Sequence, residues 1–194
     1  IALIAAGGIA AVAAVRHARR SVSPVLDLRA FRVPTYAMAI GTAGFLARTA
    51  INASPFLLPL MFQIGFGMNP FEAGLMLLVY MGGNLAMKSI TTRILRAWGF
   101  RRVIAVNGAL CAATLYACGV LDPGVPLWVT APLLFLAGMV RSMNFTAMST
   151  LAFADVADDM RPSASALATM TQQVSLALGV ALAASVLGGS ASRR

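Results

Sequence analysis

The feature that most limits what this chain can become is the spacing of its apolar residues. They fall into blocks of about twenty, separated by short polar stretches. A bilayer core about 30 Å thick requires about twenty residues of a helix that rises about 1.5 Å per residue. Composition agrees: 59% of residues are hydrophobic and 11% charged, where soluble domains hold about 45–50% and about 25%. The expectation is an all-α, polytopic bundle of transmembrane helices, with the lipid bilayer as its first partner.

The blocks divide the chain as follows. Residues 1–15 read as the end of a membrane span truncated at its start, since the chain opens on Ile1 inside an apolar run with no charged stretch before it. Residues 16–34 read as a polar loop. Five whole spans are expected at 35–62, 71–90, 103–121, 127–153 and 163–187. Between them lie a Gly- and Asn-containing turn at 63–70, a basic loop at 91–102 that could itself be a helical turn, a turn at Asp122-Pro123-Gly124 and an acidic loop at 154–162. Residues 188–194 read as a small-residue tail at a truncated end.

Formal net charge is +9. The basic residues stand between apolar blocks and not along one soluble face, so they speak for membrane topology and against a nucleic-acid partner. Numbering the loops alternately, one set holds Arg16, Arg19, Arg20, Arg29, Arg32, Lys88, Arg93, Arg96, Arg101, Arg102 and Arg161. The other holds only Arg193 and Arg194. The first set is assigned to the cytoplasm. Lys88 is the only lysine; with the abundant Ala and Gly this points to a GC-rich bacterial genome, and so to a multi-pass protein of a bacterial inner membrane. Cys111 and Cys118 lie two helical turns apart, about 10 Å along the axis, too far for a disulfide. They read as small buried side chains.

Polar groups inside the spans stand out, because an arginine in the membrane costs at least about 2.5 kcal/mol unless it faces protein, water or a partner. Arg48 and Arg141 both lie near the middle of a block. Asn52 follows Arg48 at i+4 and Asn144 follows Arg141 at i+3, so each pair shares a helix face. In the last span Ser165, Thr169, Gln172 and Gln173 form a polar stripe that points either into a cavity or at a neighbouring helix. Arg48, Asn52, Arg141, Asn144, Gln172 and Gln173 are the candidates for a substrate or proton pathway. The bland alternatives are arginines that bond carbonyls freed by a broken helix, or that snorkel, and amides that glue helices together. Pro55, Pro59 and the Gly82-Gly83 pair are candidate flexible points, the glycines reading equally as sites of close helix packing.

No Asp or Glu falls inside any expected span, and the single histidine, His17, sits among loop arginines. No metal cluster, nucleophile–base set or phosphate loop is present in the sequence, so neither enzyme, nor metal, nor cofactor is expected. A proton-coupled carrier needs a titratable group in the membrane; if protons are used, that group belongs to a part of the protein outside these residues.

Several stretches resemble a known family. Pro24 to Arg32, reading Pro-Val-Leu-Asp-Leu-Arg-Ala-Phe-Arg, is similar to the opening of the C-terminal domain in fourteen-span drug exporters of the major facilitator superfamily, the EmrB/QacA type. Pro59-Leu60-Met61-Phe62-Gln63, then Gly65 to Pro70, then Phe71-Glu72-Ala73-Gly74-Leu75 resembles the next family motif, with Asn69 replacing the usual small hydroxyl residue. Lys88 to Arg102 resembles the second copy of the superfamily's cytoplasmic loop motif: Gly99, Arg101 and Arg102 match it, while Arg96 stands where the family has an acid. Gly138 to Ala152, Ser163 to Leu167 and Gln172 to Ala181 resemble the close of the domain. The combined pattern is most similar to the MdtD-like branch.

The resemblance implies that residues 35–187 are the first five helices of a six-helix C-terminal domain, that an N-terminal half of the same transporter is a missing partner, and that the whole exports small molecules by proton antiport with alternating access. The alternative of another class is a truncated, non-transporting membrane fragment, at most an interaction partner. A channel is disfavoured, because no repeated filter-like loop occurs.

Overall fold

The computed structural model describes residues 28–122 and 124–191, with side chains through Ser185. The expected span at 1–15, the loop residues Arg16, His17, Arg19 and Arg20, Pro123 and residues 192–194 lie outside them. Among the described residues every regular element is helical. Five long helices follow one another: α1 (Pro34–Gly65), α2 (Pro70–Trp98), α3 (Phe100–Gly119), α4 (Leu127–Ala154) and α5 (Arg161–Ala191). Helices α1, α2, α3 and the segment Asp158–Ser185 are long and apolar enough to cross a membrane. Helix α4 has comparable length, 28 residues, and its apolar run is interrupted in mid-helix by Arg141 and Asn144.

Helix α1 is the least regular. It passes through π-helical turns at Ala37–Gly41 and Met61–Gly65, where Thr42 N–H reaches back to the Ala37 carbonyl (3.1 Å) and Phe66 N–H to the Met61 carbonyl (3.1 Å). Pro55 and Pro59 lie inside its α-helical stretch. Each lacks an N–H to give to the preceding turn, yet the helix continues to Leu60. Local turns widened to π geometry are a known companion of such interruptions.

Helix α2 starts on a built cap. The Asn69 side chain accepts from Glu72 N–H (2.9 Å) and Glu72 reaches back to Asn69 N–H (3.1 Å), with Pro70 at the first helical position. Asparagine is among the residues that cap a helix best, and Glu72 three positions on completes the box. The stretch 91–102, expected as a basic loop that could itself be a helical turn, is almost wholly helical. Thr91 and Leu95 are buried, and α2 runs on to Trp98 before Gly99, at φ +74°, breaks the chain for α3 to begin at Phe100. Arginine is a good helix former, so the helix outlasts its apolar block. Leu28–Arg32 likewise forms a 3-10 turn with Ala30 buried, where a loop was expected. Residues 188–191, expected in the tail, continue α5.

Helix α4 is the hub. It packs along α2 and α3 and meets the start of α1; α5 packs along α1. The α2–α4 crossing is made by glycines: a Cβ on Gly83 would run into the Phe135 carbonyl, and a Cβ on Gly138 into the Tyr80 carbonyl. Backbones in direct contact are what small residues permit in membranes. Gly83 is therefore a packing position. Gly179 of α5 plays the same part against α1, its would-be Cβ standing 2.5 Å from the Thr49 carbonyl. On α3, the Asn107 amide donates to the Val140 carbonyl of α4 (3.0 Å).

The start of α1, the end of α4 and the start of α5 are tied together. The buried Tyr36 hydroxyl donates to the Ala164 carbonyl (2.6 Å) and Thr35 donates to Asp155 (2.9 Å). Phe31, Tyr36 and Phe153 stack edge to face, with centroids 5.3 and 6.0 Å apart, over a cluster of Ala30, Ala39, Ile40, Ala152, Val156, Ala164 and Leu167.

Candidate functional site

Arg48 and Arg141 occupy equivalent places, each fourteen residues beyond the first residue of its helix, Pro34 and Leu127. Each guanidinium lies against an aromatic ring of another helix: Arg48 is 5.5 Å from the Phe145 ring centre on α4, and Arg141 is 5.8 Å from the Tyr80 ring centre on α2. Their surroundings then diverge.

Arg48 is buried, with 6% of its surface exposed. Its Nε and Nη2 have no hydrogen-bond partner among the described residues. A buried donor without a partner costs about 1–3 kcal/mol, and more when it is charged. The alternative in which Arg48 bonds carbonyls freed by Pro55 and Pro59 is not satisfied at these two nitrogens. Asn52, one turn on, is half-buried, and Asn144, beside Phe145, is buried at 6% exposure.

Arg141 is half-buried and opens onto a cavity of about 570 Å³ among α1, α2, α3 and α4. The walls are mostly apolar, including Leu57, Met61, Ile64 and Leu115. Arg141 is the one charged group on them. Tyr80 and Ser54 also line the cavity, and the Tyr80 hydroxyl stands beside both Arg141 and Ser54. Thr114 on the α3 side spends its hydroxyl on the Leu110 and Cys111 carbonyls (2.9 and 3.1 Å). Cys111 and Cys118 are buried free thiols on the same wall. An apolar chamber with one cation and a few hydroxyls suits an amphipathic ligand more than a strongly hydrated one.

The six pathway candidates do not converge on this cavity. Of them only Arg141 lines it. Gln173, with the exposed Ser165 and Thr169, lies on the side of α5 away from its buried face of Ala164, Leu167, Ser175 and Ala183, while the half-buried Gln172 borders that face. The loop-motif residues Gly99, Arg101 and Arg102 sit at the α2–α3 break, both arginines exposed. Sequence reasoning missed Tyr80 and Ser54. The signal was there for Tyr80: a phenol in mid-span, one turn before Asn84. Among the described residues no group of three or more metal-ligating side chains gathers.

A long-helix bundle with cations held inside its apolar interior is the build of a membrane carrier, and the chain belongs to the Major Facilitator Superfamily, whose pattern matches residues 2–180. It is a family of transporters, not of enzymes. Among curated relatives, a putative multidrug resistance protein MdtD of Pectobacterium carotovorum subsp. carotovorum (strain PC1) is 36% identical over 187 residues, 96% of this chain. The proteins of the same name from Serratia proteamaculans (strain 568) and Salmonella paratyphi A (strain ATCC 9150 / SARB42) are 33% and 36% identical over 192 and 191 residues, 98% and 97% of this chain. In each case the match spans 40% of the relative's length. No solved structure matches the chain.

Proposed function

We propose that these residues are the C-terminal portion of a carrier that exports small molecules across the bacterial cytoplasmic membrane by proton antiport, with residues 35–187 supplying five helices of one half and an N-terminal half completing the passage. Such carriers bind substrate near the midplane, between two halves that rock against each other. Arg48, Asn52, Arg141, Asn144, Gln172 and Gln173 are the groups this half contributes to the passage.

The observation that carries the reading is Arg48, a buried cation in mid-membrane with two guanidinium nitrogens unpaired among the described residues. A charge so placed has its counterpart in an anionic substrate or in an acid of the other half. The polar stripe of α5 supports the same view, since Ser165, Thr169 and Gln173 are exposed on the five-helix bundle. The superfamily resemblance and the names of the relatives favour drugs or metabolites as cargo.

The test is transport by the full-length carrier in inverted vesicles with Arg48→Ala and, separately, Arg141→Ala. Both are expected to abolish substrate-dependent proton movement while membrane insertion stays intact. Full transport by both variants would sink the proposal.

A further inference from the structure

We propose that the groove between the basic ends of α2 and α3 binds an anionic glycerophospholipid, one acyl chain lying in the groove and the phosphodiester against Arg93. The site stands apart from the passage proposed above and needs only that the chain spans a membrane.

The groove encloses about 400 Å³, with Met87, Ile94 and Ala97 of α2 on one wall, Val103, Val106 and Leu110 of α3 on the other, and Met143 of α4 as its floor. Two polar residues line it. The amide of one, Asn107, is committed to the Val140 carbonyl. Arg93 is therefore the charged group that meets an occupant. Trp98 stands at the mouth, 58% exposed, at the helix end where indoles settle at headgroup depth.

Charge selects the occupant. From Ala73 to Leu121 the chain has no acid, while Lys88, Arg93, Arg96, Arg101 and Arg102 gather toward the α2–α3 break. None of the five is ion-paired among the described residues. Basic pockets between membrane helices, at the end that the charge pattern makes cytoplasmic, hold anionic headgroups. Size selects as well. One turn of a helix about 10–12 Å across and about 5.4 Å long fills about 400–600 Å³, so the groove has room for a flexible acyl chain and not for another helix. Free phosphate shares the headgroup's charge but has nothing to place among Val103, Val106 and Met143.

The experiment is native mass spectrometry of the detergent-solubilised chain, titrated with phosphatidylglycerol or with phosphatidylcholine of identical acyl chains. Phosphatidylglycerol is expected to bind at several-fold lower concentration. Arg93→Gln, on an exposed side chain, should cut that preference about fivefold, the effect of one cation at an anionic membrane surface. Val106→Trp fills the groove and should weaken both lipids while leaving the charge cluster whole. Arg161→Gln, away from the groove, should change neither. Glycerophosphate should fail to displace the lipid. Equal retention of the two lipids, a preference untouched by Arg93→Gln, or displacement by glycerophosphate would each overturn the proposal.

Discussion

Replacing Arg48 by methionine should make this chain more stable and the carrier inactive. Methionine approximates the length of the arginine stem and brings no donor. The structure gives the terms. Two nitrogens, Nε and Nη2, are buried without partners, and leaving such groups unpaired costs about 1–3 kcal/mol each. Against this stands the Phe145 contact at 5.5 Å, worth about 0.5–2 kcal/mol for a cation over a ring. The balance runs from about 0 to about 5.5 kcal/mol in favour of Arg48→Met, with its centre at about 3 kcal/mol. Cys111 and Cys118 supply the assay, since both are buried in the folded chain. A thiol-reactive fluorophore therefore reports unfolding during a thermal ramp. At about 2–4 °C per kcal/mol for a chain of this size, the midpoint should rise by several degrees. Arg48→Lys, which keeps the charge, should not rise. If Arg48→Met instead melts lower than the parent while Arg48→Lys holds, the guanidinium is a structural brace and the argument from its orphaned nitrogens is wrong.

Three further outcomes are expected. Gly138→Val should force α2 and α4 apart at the Tyr80 carbonyl and lower stability by about 1–3 kcal/mol, read by the same thiol ramp; an unchanged midpoint would mean that the crossing is looser than described. Asn69→Ala removes the cap of α2 and should cost about 0.5–2 kcal/mol, while Asn69→Ser should restore most of it. Thr169→Cys and Gln173→Cys in the full-length carrier should react with a membrane-impermeant maleimide, with protection by substrate; no reaction at either would place the α5 stripe against another helix instead of water.

The apolar blocks alone made the bundle readable, because the bilayer imposes one length on every span. The ends of the helices were harder. Helix α2 runs on past Ile90 to Trp98, since backbone hydrogen bonds continue wherever residues such as Arg93 and Arg96 tolerate helix, and hydropathy has no view of that. Gly99 and Asn69 are the true punctuation, one through its positive φ and one through its capping side chain. At the site, the cost of an intramembrane charge singled out Arg48 and Arg141. Their separation was not legible: Arg141 faces the cavity and Arg48 faces Phe145, which depends on how α4 is rotated against α1 and α2. How α5 is rotated against α1 likewise hides from sequence that Gln173 lies off the buried face of α5 while Gln172 borders it.

The glycine contacts carry a mechanical consequence. Where backbone meets backbone, as at Gly83 and Gly138, no side chain is available to change rotamer and absorb a displacement, so α2 and α4 behave as one plank. Gly179 against Thr49 joins α5 to α1 as a second plank. The two planks are pinned at one end, where Thr35 donates to Asp155 and the Tyr36 ring meets Phe153 of α4, and the chamber beneath Arg141 opens between them nearer the other end. A small change in the angle between the planks alters the chamber's width without disturbing either glycine seam, so the chamber changes size by rotation about the pinned end instead of by repacking.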